Sequence, residues 1–164
     1  MQVFMGKTFV RLMGSGIAAF VIASYSQAQT LAIEPYENRP VIENTIVAER
    51  LETLLPRLMA ESGIDMWVVI AREYNDDPVF LSLVPKPRFT ARRTTMLVFF
   101  DKGEEGVERL TVSRYPLGSL YEAAWEGGDL DAQWERLGQV IRERNPQRIG
   151  VNVSEKGGIR PLSR

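Results

Sequence analysis

The stretch Leu58 to Ala71 reads LMAESGIDMWVVIA, and the apolar period changes in the middle of it. Upstream, Val47, Leu51, Leu54, Leu55 and Leu58 fall at i, i+4, i+7, i+8 and i+11, the stripe of an amphipathic helix. Glu49, Arg50, Glu52, Arg57 and Glu61 occupy much of the remaining circumference. Ser62-Gly63 predicts the stop, with Gly63 suited to the left-handed position after a helix. Downstream, Asp65 to Ala71 is continuously apolar and rich in β-branched and aromatic residues, the pattern of a strand buried on both faces. Pro56 removes a helical hydrogen bond and crowds the preceding turn. The stripe runs on through it, so a kink is expected there rather than two unrelated helices.

Working outward, Thr94 to Phe100 (TTMLVFF) repeats the buried-strand pattern. The polar, Gly-bearing turn Asp101 to Gly106 leads to a third strand, Val107 to Arg114, which predicts an antiparallel hairpin with a loop longer than two residues. Asp131 to Asn145 predicts a helix with Leu130, Trp134, Leu137 and Ile141 along one side. Asp129 or Asp131 is placed to cap it, and Asn145-Pro146 ends it. Arg148 to Val153 predicts a fourth strand that puts Ile149, Val151 and Val153 on one face. The order is helix, strand, hairpin partner, strand, helix, strand. That is an α/β fold with a mixed β-sheet flanked by helices. Glu155 to Arg164 has no apolar period and reads as an irregular tail. The last strand then lacks the helix that would cover it, and the sheet is expected to be incomplete at its C-terminal end. Residues 29–44, with Pro35 and Pro40 and no clear period, are expected to form an extended arm.

Composition narrows the chemistry. The 164 residues are 45% apolar and 25% charged, which suits one globular domain. A net charge of −1 argues against nucleic acid as a partner, which requires a basic surface. With no Cys and no His, thiol and imidazole catalysis are excluded, as are zinc sites built from those ligands. Residues 1–28 have the three parts of a secretory signal: Lys7 and Arg11 without an acid, an apolar run from Leu12 to Ala23, and Ser26-Gln27-Ala28 before a cut between Ala28 and Gln29. The apolar run is shorter than the ~20 residues of a spanning helix, so no stable membrane anchor is expected after cleavage. The product is expected to be exported, to the periplasm or beyond.

The segment between the first two strands, Arg72 to Arg93, is the candidate ligand surface, because α/β proteins place ligands at strand ends. Arg72, Tyr74, Asn75, Arg92 and Arg93 are its candidate substrate- or interface-facing residues. Arg forks suit a carboxylate, though Asp76, Asp77 and Glu73 are near enough in sequence to pair with them instead. Asp76-Asp77 ahead of Pro78 reads as a turn rather than half of a metal site. Glu104-Glu105 is a hairpin tip. Trp67 and Trp134 fall on core-facing stripes, whereas Trp125 lies in a loop open to an interface. Gly127-Gly128-Asp129 lacks the Lys and the preceding strand of a phosphate loop. No catalytic constellation and no metal site is assigned.

Arg50-Leu51-Glu52 with Leu58 to Val69 resembles the opening of the creatinase/Xaa-Pro aminopeptidase family, where a helix ends in a similar glycine turn and feeds the first strand. Arg72 to Pro78, Ala91 to Thr95, Val112 to Tyr115 and Ile149 to Ser154 look like its Xaa-Pro peptidase-like branch. The resemblance covers roughly residues 40–155, and the domain is placed at residues 45–154. It implies a non-catalytic N-terminal domain with a ribonuclease H-like mixed sheet, which gates substrate and makes subunit contacts. It also implies a partner: a pita-bread catalytic domain, in cis or in a neighbouring subunit of a homo-oligomer, holding two divalent metal ions through Asp, His and Glu. A chain without His cannot hold that centre, so no cofactor and no catalytic residue is carried onto it, and the fragment is expected to be inactive. A stand-alone exported binding module of the same fold, and an unstable gene remnant, are the rival expectations.

Overall fold

A computed structural model describes residues 33–75 and 77–153. The signal-like segment with its Ala28/Gln29 cut, the start of the expected arm, Asp76, and the tail from Ser154 lie outside them.

The expected arm needs correcting. Pro35 is extended, but a 3-10 turn over Tyr36–Asn38 runs straight into α1 (Arg39–Glu49). Pro40 does not prevent this, because it stands in the first turn, where its missing N–H has no partner to lose and its fixed φ is already helical. The helix then widens into a π-helical turn over Arg50–Leu54 and continues as α2 (Leu55–Ser62). In the wide turn the Leu55 N–H donates to Arg50 O, one residue further back than in an α-helix, just before Pro56. The disturbance from the proline is absorbed there. It also rotates the buried stripe. Val47, Leu51, Leu55 and Met59 are buried at a strict spacing of four, whereas Leu58, expected on the stripe, is 43% exposed.

Gly63 ends the helix in the left-handed region, at φ 62° and ψ 34°. Its N–H donates to Ala60 O and the Ile64 N–H to Met59 O, the paired bonds of a Schellman cap. The chain then enters β1 (Met66–Arg72), the antiparallel partner of β2 (Thr94–Asp101), which pairs in turn with β3 (Val107–Ser113). The five-residue turn between β2 and β3 makes the expected long-looped hairpin. Two further elements complete a mixed five-stranded sheet. A two-residue β4 (Glu122–Ala123) runs parallel to β3, and β5 (Ile149–Val151) runs parallel to β1, giving the order β4-β3-β2-β1-β5.

Each face of the sheet has its own core. On one, Val69, Ala71, Leu97 and Phe99 pack beneath the long N-terminal helix and a short helix α3 (Pro78–Leu83), with Phe80 and Tyr121 among them. The Tyr121 hydroxyl donates to Leu83 O at 2.8 Å, and burial pushes that phenol up, so it remains a donor. On the other face, Met66, Val68, Met96, Val98, Leu110 and Val112 meet Leu137 and Val140 of α4 (Leu130–Arg144). Helix α4 is capped by Asp129, whose Oδ1 accepts from the Ala132 N–H at 2.8 Å, and ends at a left-handed Asn145. Its buried stripe is shifted from the expected one. Gln133, Leu137 and Val140 face inward, and Trp134 is 47% exposed rather than in the core. Arg144 and Glu108, part-buried, pin α4 to β3, and Arg136 Nε donates to Ala124 O at 2.7 Å.

At the β5 side, the Asp65 carboxylate accepts from Gln147 N (2.6 Å) and Arg148 N (2.7 Å), while its own N–H donates to Arg148 O. The Asp101 N–H donates to Asp65 O, so one residue ties β1 to both neighbours. The register then sets Ile149 beside Met66 and Val151 beside Val68, on the α4 side of the sheet. Unlike Met66 and Val68, they are uncovered: Ile149, Val151 and Val153 are 41%, 59% and 89% exposed. No helix among the described residues is long and apolar enough to cross a membrane.

Truncating Met59 to Ala is expected to cost about 2–5 kcal/mol, while Leu58→Ala costs under ~1 kcal/mol, measured by urea unfolding. Equal costs would argue against the wide turn. The bonds from Gln147 and Arg148 hold the Asp65 carboxyl below the ordinary value of 3.8. A depressed pKa contributes stability that is present above the unfolded value and lost as pH falls through the folded one. Asp65→Asn is therefore expected to cost about 1 kcal/mol at neutral pH, because this half-exposed group is screened by solvent. It should also flatten the fall in melting temperature below pH 4.

Candidate functional site

Because β1 and β3 both run antiparallel to β2, they end at the same edge, where β2 begins. Arg72 closes β1, Arg93 precedes β2, and Arg114 follows β3. Three guanidinium-bearing residues therefore come from three adjacent strand ends, and they line one cavity of about 600 Å³. Glu73 and Tyr74 make the tight turn after β1, closed by the Asn75 N–H donating to Arg72 O at 2.8 Å. The turn is tied to the start of β2, where the Glu73 N–H donates to Arg93 O at 2.8 Å and Glu73 Oε2 accepts from the Arg93 N–H at 3.4 Å. Tyr74 (φ 67°) and Arg93 (φ 55°) are both left-handed, a conformation uncommon outside glycine.

The expected site set divides. Arg72, Tyr74 and Arg93 line this cavity together. Asn75 holds the turn without lining it. Arg92 turns the other way, its guanidinium 5.0 Å from the Tyr115 ring centroid, and lines a second cavity of about 620 Å³ between the Pro85–Thr90 and Pro116–Leu120 segments. There Arg88 donates to Pro116 O, and burial together with the nearby Arg92 charge pushes its guanidinium down from the ordinary arginine value. Asp77 is taken up locally: Oδ1 caps α3 through the Val79 N–H at 2.7 Å, and Oδ2 accepts from Asn152 Nδ2 at 2.6 Å. Asn152 Oδ1 in turn accepts from the Trp67 indole at 2.9 Å. That chain of bonds fixes the far side of the loop to β1 and to the residue following β5.

Sequence patterns alone did not place Arg114, Tyr115, Trp125 and Gln133 in this cavity. The available signal was topological: the residue after β3 must emerge beside the end of β1 once the hairpin is accepted. Arg114 Nη2 donates to Gly128 O at 2.6 Å, drawing the glycine segment over the opening. At Gly128 (φ 146°) a side chain would be strained by the backbone, and its Cβ would crowd Ala132 Cβ at 3.2 Å. Gln133, buried, donates through Nε2 to Thr94 O (2.9 Å) and Val112 O (2.8 Å). It bridges the start of β2 to the end of β3 beneath the arginines.

Both carboxylates in the lining are committed to backbone donors: Glu73 to Arg93, and Asp129 to the cap of α4. None of the ion pairs among the described residues involves Arg72, Arg93 or Arg114. The lining thus sets three guanidinium groups against two carboxylates, a net positive charge, beside an aromatic wall of Tyr74, Tyr115 and Trp125. It does not suit a dinuclear metal centre: the chain has no His, and among the described residues no three acidic side chains converge.

Gln133→Leu is expected to remove both bonds that bridge the strand ends and to lower unfolding stability by about 1–3 kcal/mol in a denaturant titration. A change under ~0.5 kcal/mol would mean that the bridge is dispensable. Comparison with protein-family models, with curated proteins and with solved structures finds no match for this chain.

Proposed function

We propose that this chain is the non-catalytic N-terminal domain, with a ribonuclease H-like sheet, of an exported Xaa-Pro aminopeptidase-like metallohydrolase. By itself it is inactive, and its work in such an enzyme is substrate gating and subunit contact. The observation that carries this reading is the uncovered apolar side of β5. Ile149 and Val151 lie in register with the packed Met66 and Val68, yet they and Val153 beyond them remain open to solvent. Ile70, which alternates onto the same face of β1, is 37% exposed. Patches of this kind mark places where another element or partner packs. A further helix and strand of a larger protein would close both the face and the edge. The Arg72–Asn75 and Arg92–Arg93 segments then front the strand-end edge, available to the catalytic domain or to its substrate.

A specific observation also favours the stand-alone binding module: the arginine cavity is walled entirely by residues of this one domain. The two readings part at the coding sequence. Under the first, the nucleotides that follow the codon for Val153, read in all three frames, encode a domain with two Asp, one His and two Glu as metal ligands. Absence of such a frame would overturn it in favour of the module. Purified chain with added Mn²⁺ or Zn²⁺ is expected to leave a Gly-Pro dipeptide uncleaved. Metal-dependent turnover would overturn the assignment of an inactive domain.

A further inference from the structure

The geometry points to the cavity closed by Arg72, Arg93 and Arg114 as a binding site for small carboxylates that carry an apolar or aromatic body. Four observations carry this. The three arginines arrive from adjacent strand ends and take part in no ion pair among the described residues. The only acids in the lining, Glu73 and Asp129, each turn an oxygen to a backbone N–H rather than to a guanidinium, so three cations face two carboxylates and the lining keeps a net positive charge with its arginine forks open. Arg114 spends one donor on Gly128 O, and a guanidinium has five, arranged in a planar fork that matches two carboxylate oxygens. Finally, the wall is aromatic. Trp125 and Tyr115 line it, and Tyr74 stands 83% exposed at its rim, held there by a left-handed backbone.

Each of these has a cost to the isolated fold. Like charges are gathered at one edge, and two non-glycine residues, Tyr74 and Arg93, sit in the left-handed region. A bound carboxylate would offset the first, and the fixed turn would set the spacing of Arg72 and Arg93 before the ligand arrives. The volume, about 600 Å³, falls among those of small-molecule sites. The apolar body would lie against Trp125 and Tyr74, where a flat ring also gains area. Either a free peptide C-terminus or a small organic acid offers this chemistry.

The inference concerns the same edge as the proposed gating surface and rests on that edge facing ligand, but it does not need the catalytic domain. The test is a fluorescence titration of the full chain, with Trp125 as reporter. The probes are 3-phenylpropionate, its amide, a short peptide ending in Phe with a free or amidated C-terminus, and inorganic phosphate. Saturable change is expected with the two carboxylates and not with either amide, and it should vanish in Trp125→Phe. Arg93→Gln and Arg72→Gln are each expected to weaken binding about tenfold, the size of one lost charged contact. Arg57→Gln, on the exposed side of α2, should leave it unchanged. Melting curves of the arginine variants matching the parent's separate lost contact from lost fold, and Tyr74→Ala gives a second variant should either arginine change prove unstable.

Tighter binding of the peptide identifies chain termini as the source, and tighter binding of phenylpropionate identifies free acids; both support the site. Equal binding of acids and amides, indifference to both arginine changes, no saturation up to about 10 mM, or tighter binding of phosphate than of either carboxylate would each overturn it. Failure here leaves the coding-sequence test of the larger protein untouched, and failure there leaves the pocket standing.

Discussion

The carboxylate of Asp65 is the joint on which the sheet's assembly turns. It stands between the end of the long N-terminal helix and the start of β1, and its two oxygens take the backbone N–H groups of Gln147 and Arg148. Those groups belong to the segment that brings the chain back from α4. Without an acceptor at that point, the two amides would turn to solvent and β5 would lose one of the bonds that fix its register. Through its main chain the same residue holds β2. Three strands are thus set relative to one another by one side chain and its own peptide groups, two residues after the glycine that frees the chain to turn. The parallel pairing of β1 and β5 has no hairpin to define it, so a local anchor of this kind is what makes it specific.

Much of this could be read from the residues. The switch from a helical period to a continuous apolar run at Gly63 located the helix end and β1, and the polar turn after Phe100 located the hairpin. These are local signals, and local signals survive in a one-dimensional string. What escaped were features set by partners far along the chain. Met59 takes the place of Leu58 because a wide turn ahead of Pro56 changes the angle per residue, and no apolar count carries that information. Gln133 takes an inward position from Trp134 because two strand ends present carbonyls there. α3 is only six residues long, too short to show an apolar period; β4 is two residues long and depends wholly on β3.

The candidate site followed the same division. Arg72, Tyr74 and Arg93 were legible because they sit at predicted strand ends. Arg92 was grouped with its neighbour, yet adjacent residues at the start of a strand diverge, and the left-handed backbone at Arg93 separates them further. Arg114 was missed for want of topology. Once β1 and β3 are known to end at the same edge, its nearness to Arg72 is forced. The two sides of the sheet also differ in finish. One strand end is closed over by Arg114 and Gly128, whereas the β5 face keeps its valines and isoleucine in water.

One consequence follows from the kind of cation gathered at that edge. Guanidinium groups keep their protons across the whole range in which proteins stay folded, and this chain has no imidazole to add or remove charge near neutrality. The cationic side of the pocket is therefore constant around neutrality. A carboxylate guest keeps its charge there as well, so occupancy near neutrality should not vary with acidity.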